Sequence, residues 1–111
     1  MSIAATYNIV IEQYSDFSRT FQIKEGDTVK DITGYSFQGE VRERSQSTTS
    51  HDFTCSIVDA TDGQWKAEMT DTLTGTIKPG DYVYDIVMTD DAGIKTRLLQ
   101  GEAKVTAGVT R

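Results

Sequence analysis

The sequence contains little of what covalent frameworks, metal sites and membrane segments need. Its 111 residues include one cysteine, one proline and one histidine. Cys55 is alone, which excludes an intramolecular disulfide and a cysteine-based metal site. No apolar run approaches the roughly 20 residues of a membrane-spanning helix, and residues 1–6 lack the basic and apolar regions of a signal peptide. We therefore expect a protein without a membrane partner, made in a cytosol.

Positive charge is also scarce. The chain has 11 Lys and Arg against 17 Asp and Glu, giving a net charge of −6. Nucleic-acid binding needs clustered basic residues that neutralise phosphates, whereas Arg42 and Arg44 stand beside Glu40 and Glu43. We therefore expect no nucleic-acid partner. With 37% hydrophobic and 25% charged residues, residues 1–111 have the composition and length of a single folded domain.

Apolar and polar residues alternate along nearly the whole chain, which is the pattern of half-buried β-strands. Turn signals separate the alternating segments at short, regular intervals, as in sandwiches and barrels. We predict an all-β fold, namely an immunoglobulin-like antiparallel β-sandwich of seven to eight strands. The predicted strands are Tyr7–Gln13, Phe17–Ile23, Tyr35–Arg42, Phe53–Ile57, Trp65–Met69, Tyr82–Met88 and Ile94–Thr106.

The inward-facing side chains of these strands form the predicted core. Arg19 falls on the apolar side of its strand, which indicates an edge strand or a bulge. Gly39 indicates a close approach by another element, and Gly101 indicates a bulge. The stretch around Leu73 and Ile77 fits one helical turn or an irregular crossover. The predicted core is Tyr7, Ile9, Ile11, Phe21, Ile23, Phe37, Val41, Phe53, Cys55, Ile57, Trp65, Met69, Leu73, Tyr82, Tyr84, Ile86, Leu99 and Val105.

The turn before Tyr82 contains the residues of a known structural motif. Pro79 and Gly80 suit the central positions of a turn, and Tyr82 follows at the entry of a strand. This order is typical of a tyrosine corner, in which the hydroxyl bonds backward to the connection between two sheets. The alternative is that Tyr82 simply covers the rim of the core. Either role is structural, as are the roles predicted for Trp65, Gly34 and Gly80.

No residue pattern is typical of catalysis or of metal binding. His51 follows Ser50 directly, and a nucleophile and its base do not meet as neighbours in sequence. Aspartates in sandwich turns can bind calcium, but no segment has the spacing of a calcium loop. Turn chemistry already accounts for Asp62–Gly63 and Asp90–Asp91. We expect no enzymatic activity, no metal and no cofactor.

The order of the strand and turn signatures resembles a known family. Its features are Tyr7–Gln13, an Asp-Phe-x-x-x-Phe strand, Asp31–Tyr35 with Gly34, Gly80–Ile86 and Arg97–Glu102. This layout resembles a family of short tailed-phage proteins found in marine and cyanobacterial phages and in prophages. It is also similar to the immunoglobulin-like N-terminal domains of some baseplate upper proteins of Gram-positive phages.

The resemblance implies a bacteriophage virion structural protein, associated with the tail or baseplate and made in the host cytoplasm. Its implied partners are other phage structural proteins and further copies of itself. A capsid decoration protein on the head lattice is the second hypothesis. A carbohydrate-binding module is the third, and it needs Trp65 or several tyrosines exposed on one face. An enzyme is the last hypothesis.

The interface prediction concerns the first and last strands. The edges of Tyr7–Gln13 and Ile94–Thr106 could extend sheets between copies. We therefore predict interface roles for Tyr7, Ile9 and Ile11 in the first strand and for Arg97 and Leu98 in the last.

Overall fold

A computed structural model describes residues 5–43 and 49–108, and most of them lie in β-strands. The all-β prediction is confirmed, and each long predicted strand is present. Arg44, at the start of the predicted exposed loop, lies outside the described residues. The elements are β1 Ala5–Thr6, β2 Ile9–Glu12, β3 Phe17–Gln22, β4 Lys24–Glu25, β5 Thr28–Val29, β6 Ser36–Arg42, β7 His51–Asp59, β8 Gln64–Met69, α1 Asp71–Thr76, β9 Gly80–Thr89 and β10 Lys95–Thr106.

The main sheet follows one continuous hydrogen-bonded order, β1-β10-β9-β6-β7-β8-β3, with β2 also pairing β10. Strand β7 joins its two halves. The start of β7 pairs with β6 through His51 and Val41, whereas its later residues pair with β8, for example Cys55 with Ala67. The sheet curls at β7, so the inner faces of the two halves face each other as in a sandwich. Strands β4 and β5 form a separate ribbon.

The pairing is not antiparallel throughout, which corrects the prediction. Strands β1 and β2 run parallel to β10, with Ala5 opposite Leu99 and Ile9 opposite Ala103. Because β9 occupies its other side, β10 has neighbours on both edges. The prediction of a free edge at Ile94–Thr106 is therefore wrong. Among the described strands, the ends of the order are β1 with β2 on one side and β3, which carries Arg19, on the other.

A stack of three aromatic rings holds the inner faces together. The ring of Trp65 lies between Phe21, at 4.9 Å between centroids, and Phe37, at 4.5 Å. Phe37 belongs to β6 in one half, whereas Phe21 and Trp65 belong to β3 and β8 in the other. Around this stack the buried core is Ile9, Ile11, Phe17, Ile32, Val41, Phe53, Trp65, Ala67, Met69, Ile77, Tyr82, Tyr84, Ile86, Ala103 and Val105.

Two predicted core residues are exposed, and five buried ones are missing from the predicted core, namely Phe17, Ile32, Ala67, Ile77 and Ala103. Tyr7 is 41% exposed because it lies in the connection between β1 and β2, and Ile57 is 37% exposed beside a bulge in β7. Ile32 and Ile77 are fully buried although neither belongs to a strand. Alternation within strands cannot identify buried residues in connections.

The two predicted glycine features have different outcomes. A Cβ on Gly39 would lie 2.3 Å from Cδ1 of Ile86, which confirms the predicted close approach. Gly101 is not a bulge, because the register of β10 shifts between Arg97 and Leu99 instead. A Cβ on Gly101 would lie 2.4 Å from the carbonyl oxygen of Tyr7. This glycine therefore lets the connection between β1 and β2 lie at close range against β10.

The Trp65→Ala change tests the role of the aromatic stack. Because Trp65 is fully buried, we expect the free energy of unfolding to fall by about 3–5 kcal/mol. Urea denaturation measures it. Val58→Ala is the control, because Val58 is 50% exposed and should change stability by about 0.5 kcal/mol or less. A fall of only a degree or two in the melting temperature of Trp65→Ala would contradict the central role of this residue.

Candidate interaction surface

Tyr82 makes the backward hydrogen bond of a tyrosine corner. Its hydroxyl donates to the carbonyl oxygen of Lys78 at 2.7 Å. Burial raises the pKa of the Tyr82 hydroxyl, and the nearby Glu43 carboxylate raises it further, so the hydroxyl keeps its proton at neutral pH. The helix α1 precedes this turn, so of the two predicted alternatives for this stretch the structure has the helical turn and not the irregular crossover. Gly80 begins β9 opposite Val105, and the hydrogen bond from Tyr82 fixes the entry into this strand.

The Asp31–Tyr35 segment is a turn that positions the side chain of Ile32 in the core. The carboxylate oxygen Oδ1 of Asp31 accepts from the backbone N–H of Thr33 at 2.9 Å and from its hydroxyl at 2.6 Å. These bonds lower the pKa of Asp31. Gly34 has φ 82°, which favours glycine. The backbone N–H of Ile32 donates to the carbonyl of Ala60 at 2.9 Å, and this anchors Ile32 in the core. The role of Gly34 is thus structural.

The five predicted interface residues do not share one environment. Ile9 and Ile11 are 6% and 0% exposed, so an interface role for their side chains is a wrong prediction, since alternation turns both inward. Tyr7 is well exposed, and Arg97 is exposed in an ion pair with Asp85. Leu98 is half-buried at the bulge of β10. Three of the five therefore reach solvent.

The outer face of β6, β9 and β10 forms a shallow depression of about 930 Å³. Four of the charged side chains that line it are paired within the sheet, and Glu43 lines it as well. Arg42 lies 2.7 Å from Glu40 on β6, and Arg97 on β10 lies 3.1 Å from Asp85 on β9. Val83 is an apolar side chain of the same depression. With acids and bases alternating, this face offers no concentrated charge of one sign.

A second, smaller cavity opens between the two halves of the sheet. Its volume is about 220 Å³, and we call it the Trp65 cleft. Trp65 is fully buried, and its indole Nε1–H has no hydrogen-bond partner among the residues that the structure describes. Sequence analysis missed this cleft because its walls come from distant segments. The only local signal was the adjacent pair Leu98 and Leu99, which breaks the alternation of β10. The walls are Ala5, Phe21, Ile23, Trp65, Leu98 and Leu99, together with the exposed Gln22 and Lys24.

The residues considered for catalysis and metal binding do not form a common site, and Asp90 stabilises a turn. His51 is half-buried with its ring 6.4 Å from that of Tyr82. The Asp90 carboxylate accepts from the backbone N–H groups of Ala92 and Ile94, both at 2.9 Å, which confirms its turn role. Within residues 5–43 and 49–108, no three His, Cys, Asp or Glu side chains are grouped to hold a metal ion. The same part of the chain has no helix long and apolar enough to span a membrane.

The Tyr82→Phe change removes only the hydroxyl that bonds to Lys78. We expect a loss of about 0.5–1.5 kcal/mol in the free energy of unfolding, the usual net contribution of one hydrogen bond. The carbonyl of Lys78 belongs to an exposed residue and can bond to water instead. Urea denaturation measures the loss. An unchanged midpoint would show that Tyr82 contributes packing alone.

Alkylation of Cys55 tests the burial of its thiol. Burial raises the pKa of Cys55 from 9.0 to about 11, which lowers the thiolate fraction near neutral pH about hundredfold, and the thiolate is the reactive form. We therefore expect iodoacetamide to label the folded protein at pH 8 far more slowly than the urea-unfolded protein. Mass spectrometry follows the labelling. Equal rates in the two states would contradict the burial of this side chain.

Comparison with known proteins finds a structural neighbour whose similarity to this chain is low. No family model matches the chain, and no curated protein does. Among solved structures, the chain is similar to the Listeria monocytogenes internalin-like protein lmo2027, with a TM-score of 0.45 and 10% sequence identity. The alignment covers 95% of this chain and 28% of that protein's chain. The chain thus spans little more than a quarter of the length of its neighbour, and the likeness identifies neither a family nor a function.

Proposed function

We propose that this protein is a non-enzymatic structural component that assembles through protein–protein contacts, in a bacteriophage virion at the tail or baseplate. The phage assignment rests on the resemblance of its strand and turn signatures to short tailed-phage proteins. We also assign its all-β fold as immunoglobulin-like. The backward hydrogen bond from Tyr82 to Lys78, as in a tyrosine corner, supports this finer assignment.

The observation that carries the proposal is the open edge of β2. This strand pairs with β10 and lies at an end of the sheet order within the described residues. Val10, in its middle, is 48% exposed, and Tyr7 just before it is 41% exposed. An open strand edge with apolar side chains beside it is a surface on which another chain can add a strand. Repeated copies in a virion would use such an edge many times.

The structure bears on the carbohydrate-binding hypothesis but does not separate the capsid decoration hypothesis from the tail hypothesis. The carbohydrate-binding hypothesis needed an exposed Trp65 or several exposed tyrosines on one face, and Trp65 is fully buried. Its ring faces are covered by Phe21 and Phe37, so a sugar cannot stack on them. The capsid decoration hypothesis requires the same kind of contact surface as the tail hypothesis. It remains the second candidate because β2 would serve either location.

Antibody labelling of purified particles tests the location. We expect an antibody raised against the chain to label tails or baseplates of the phage that encodes it. Labelling confined to heads would replace the tail assignment with capsid decoration. Absence of the chain from particles, shown by mass spectrometry of their proteins, would overturn the virion proposal.

A matched pair of surface variants tests the β2 edge. Val10→Lys places a charge beside the open edge, whereas Val58→Lys places the same charge on β7 at nearly equal exposure, 48% against 50%. Both should fold with similar melting temperatures, because both side chains are on the surface. We expect Val10→Lys to reduce incorporation into particles at least tenfold, and Val58→Lys to leave it unchanged. Equal incorporation would show that the β2 edge is not the contact.

A further inference from the structure

The strand β2 directs two of its residues toward its open side. The backbone N–H of Gln13, directly after β2, donates to the carbonyl oxygen of Thr106 on β10 at 3.0 Å. Because the direction of backbone bonding alternates along a strand, the odd-numbered residues of β2 also bond toward β10. Val10 and Glu12 therefore direct their N–H and C=O groups away from β10. Among the described strands β2 pairs with β10 alone, so an added strand would bond at Val10 and Glu12.

The other end of the sheet order has a feature that opposes strand addition. Arg19 lies on the same face of β3 as Phe17, with its guanidinium 4.8 Å from the centre of that ring. A charge on the inward face of an edge strand is one of the features by which proteins prevent the pairing of edges. The inward residues of β2 are Ile9 and Ile11, which are both buried and uncharged. The β2 edge lacks this protection.

The side chains along the open side of β2 complement a second copy of β2 in one antiparallel register. When Val10 lies opposite Val10 of the second copy, the two residues exchange two backbone hydrogen bonds, because both direct their bonding groups outward. Each Glu12 then lies opposite Asn8 of the other copy. The Oδ1 atom of Asn8 accepts from the backbone N–H of Glu102 at 3.0 Å, which leaves the amide NH₂ as its donor toward a carboxylate. A central valine pair is thus flanked by two carboxylate–amide pairs.

Shifted registers are less favourable because they change the position of Glu12. With Val10 opposite Glu12 of the second copy, the two Glu12 side chains become diagonal neighbours at about 7–8 Å. A further shift in the same direction places the two Glu12 carboxylates directly opposite one another, which is destabilising. A shift in the other direction places Val10 opposite Asn8 and loses the valine pair. The register centred on Val10 keeps the two glutamates at opposite ends of the contact.

We propose that the β2 edge pairs with β2 of a second copy of this chain, antiparallel and centred on Val10, about a two-fold axis perpendicular to the sheet. This inference rests on the proposed function for the use of the edge, and it deepens that function by naming the partner, the strand direction and the register. The contact is isologous, with the same residues on both sides. The inner faces of both copies lie on one side, so the two sheets continue into each other.

A charge exchange at residue 10 tests this register. Val10→Lys and Val10→Glu each place like charges opposite one another, and we expect each to weaken self-association about tenfold. An equimolar mixture places lysine opposite glutamate, so its dissociation constant should return to within about threefold of that of the parent chain. Sedimentation equilibrium up to millimolar protein measures these constants. Physiological ionic strength largely screens the net charge of −6 on each copy.

Matched variants on β7 supply the control. Val58 is 50% exposed against 48% for Val10, so Val58→Lys and Val58→Glu should leave self-association unchanged, alone and mixed. The melting temperatures of all four variants should stay close to that of the parent chain, because both positions are on the surface. A parent chain that stays monomeric up to millimolar concentration would overturn the proposal. A mixture of the Val10 variants that associates no better than either variant alone would also overturn it.

A second set of variants tests the register if the Val10 variants fail to fold. Asn8→Asp keeps an acceptor for the N–H of Glu102 and places a carboxylate opposite Glu12 of the other copy, so it should weaken self-association about tenfold. Adding Glu12→Lys to the same chain turns this repulsion into attraction and should restore the association. An Asn8→Asp chain that associates like the parent chain, or a double variant that associates no better than Asn8→Asp alone, would contradict the register.

These results can be separated from those on particles. If Val10→Lys blocks incorporation but the mixture of Val10 variants restores no association, the β2 edge binds a different protein and this inference alone fails. If charge exchange restores the dimer in solution and the chain is absent from particles, the virion proposal alone fails.

Discussion

The stack of Phe21, Trp65 and Phe37 is the contact on which the two-sided fold depends. Hydrogen bonding runs continuously from β1 to β3 through β7, so it does not by itself close the sheet on its inner faces. Closure comes from aromatic rings, each of which buries about 150–250 Å², at centroid distances of 4.9 and 4.5 Å. Because closure depends on side chains, β2 has a strand partner on one side alone within the described residues, and the proposed contact uses the other side.

The strands were predictable because they are local. Alternation of apolar and polar residues located every long strand, and the signals at Lys78–Asp81 led to the Tyr82 hydrogen bond. The errors arose where distant segments decide the outcome. The parallel pairing of β1 and β2 with β10 places the backbone of Tyr7 against Gly101, a residue distant in the sequence. Ile32 is buried because its turn bonds to Ala60, and no periodicity in the sequence records that contact.

The candidate site was less predictable than the fold for the same reason. Ile9 and Ile11 were assigned to both the core and an interface, and burial of their side chains leaves only the core role. The Trp65 cleft is formed by residues near both ends of the chain and by β8 between them. Four of its side chains, Phe21, Ile23, Trp65 and Leu99, were assigned to the core, and Leu98 was assigned to an interface. Only the register of β10, with its bulge at Leu98, brings them around one cavity.

The two ends of the sheet order lie beside one another in the folded chain. Ala5 of β1 and Phe21 of β3 line the same cleft, and the ring of Tyr7 packs edge-on against that of Phe21 at 5.5 Å between centroids. The first segment of the chain therefore covers part of the inner face of β3. Because Val10 of β2 is 48% exposed, the β2 edge is the end at which an added strand would meet an apolar side chain already on the surface.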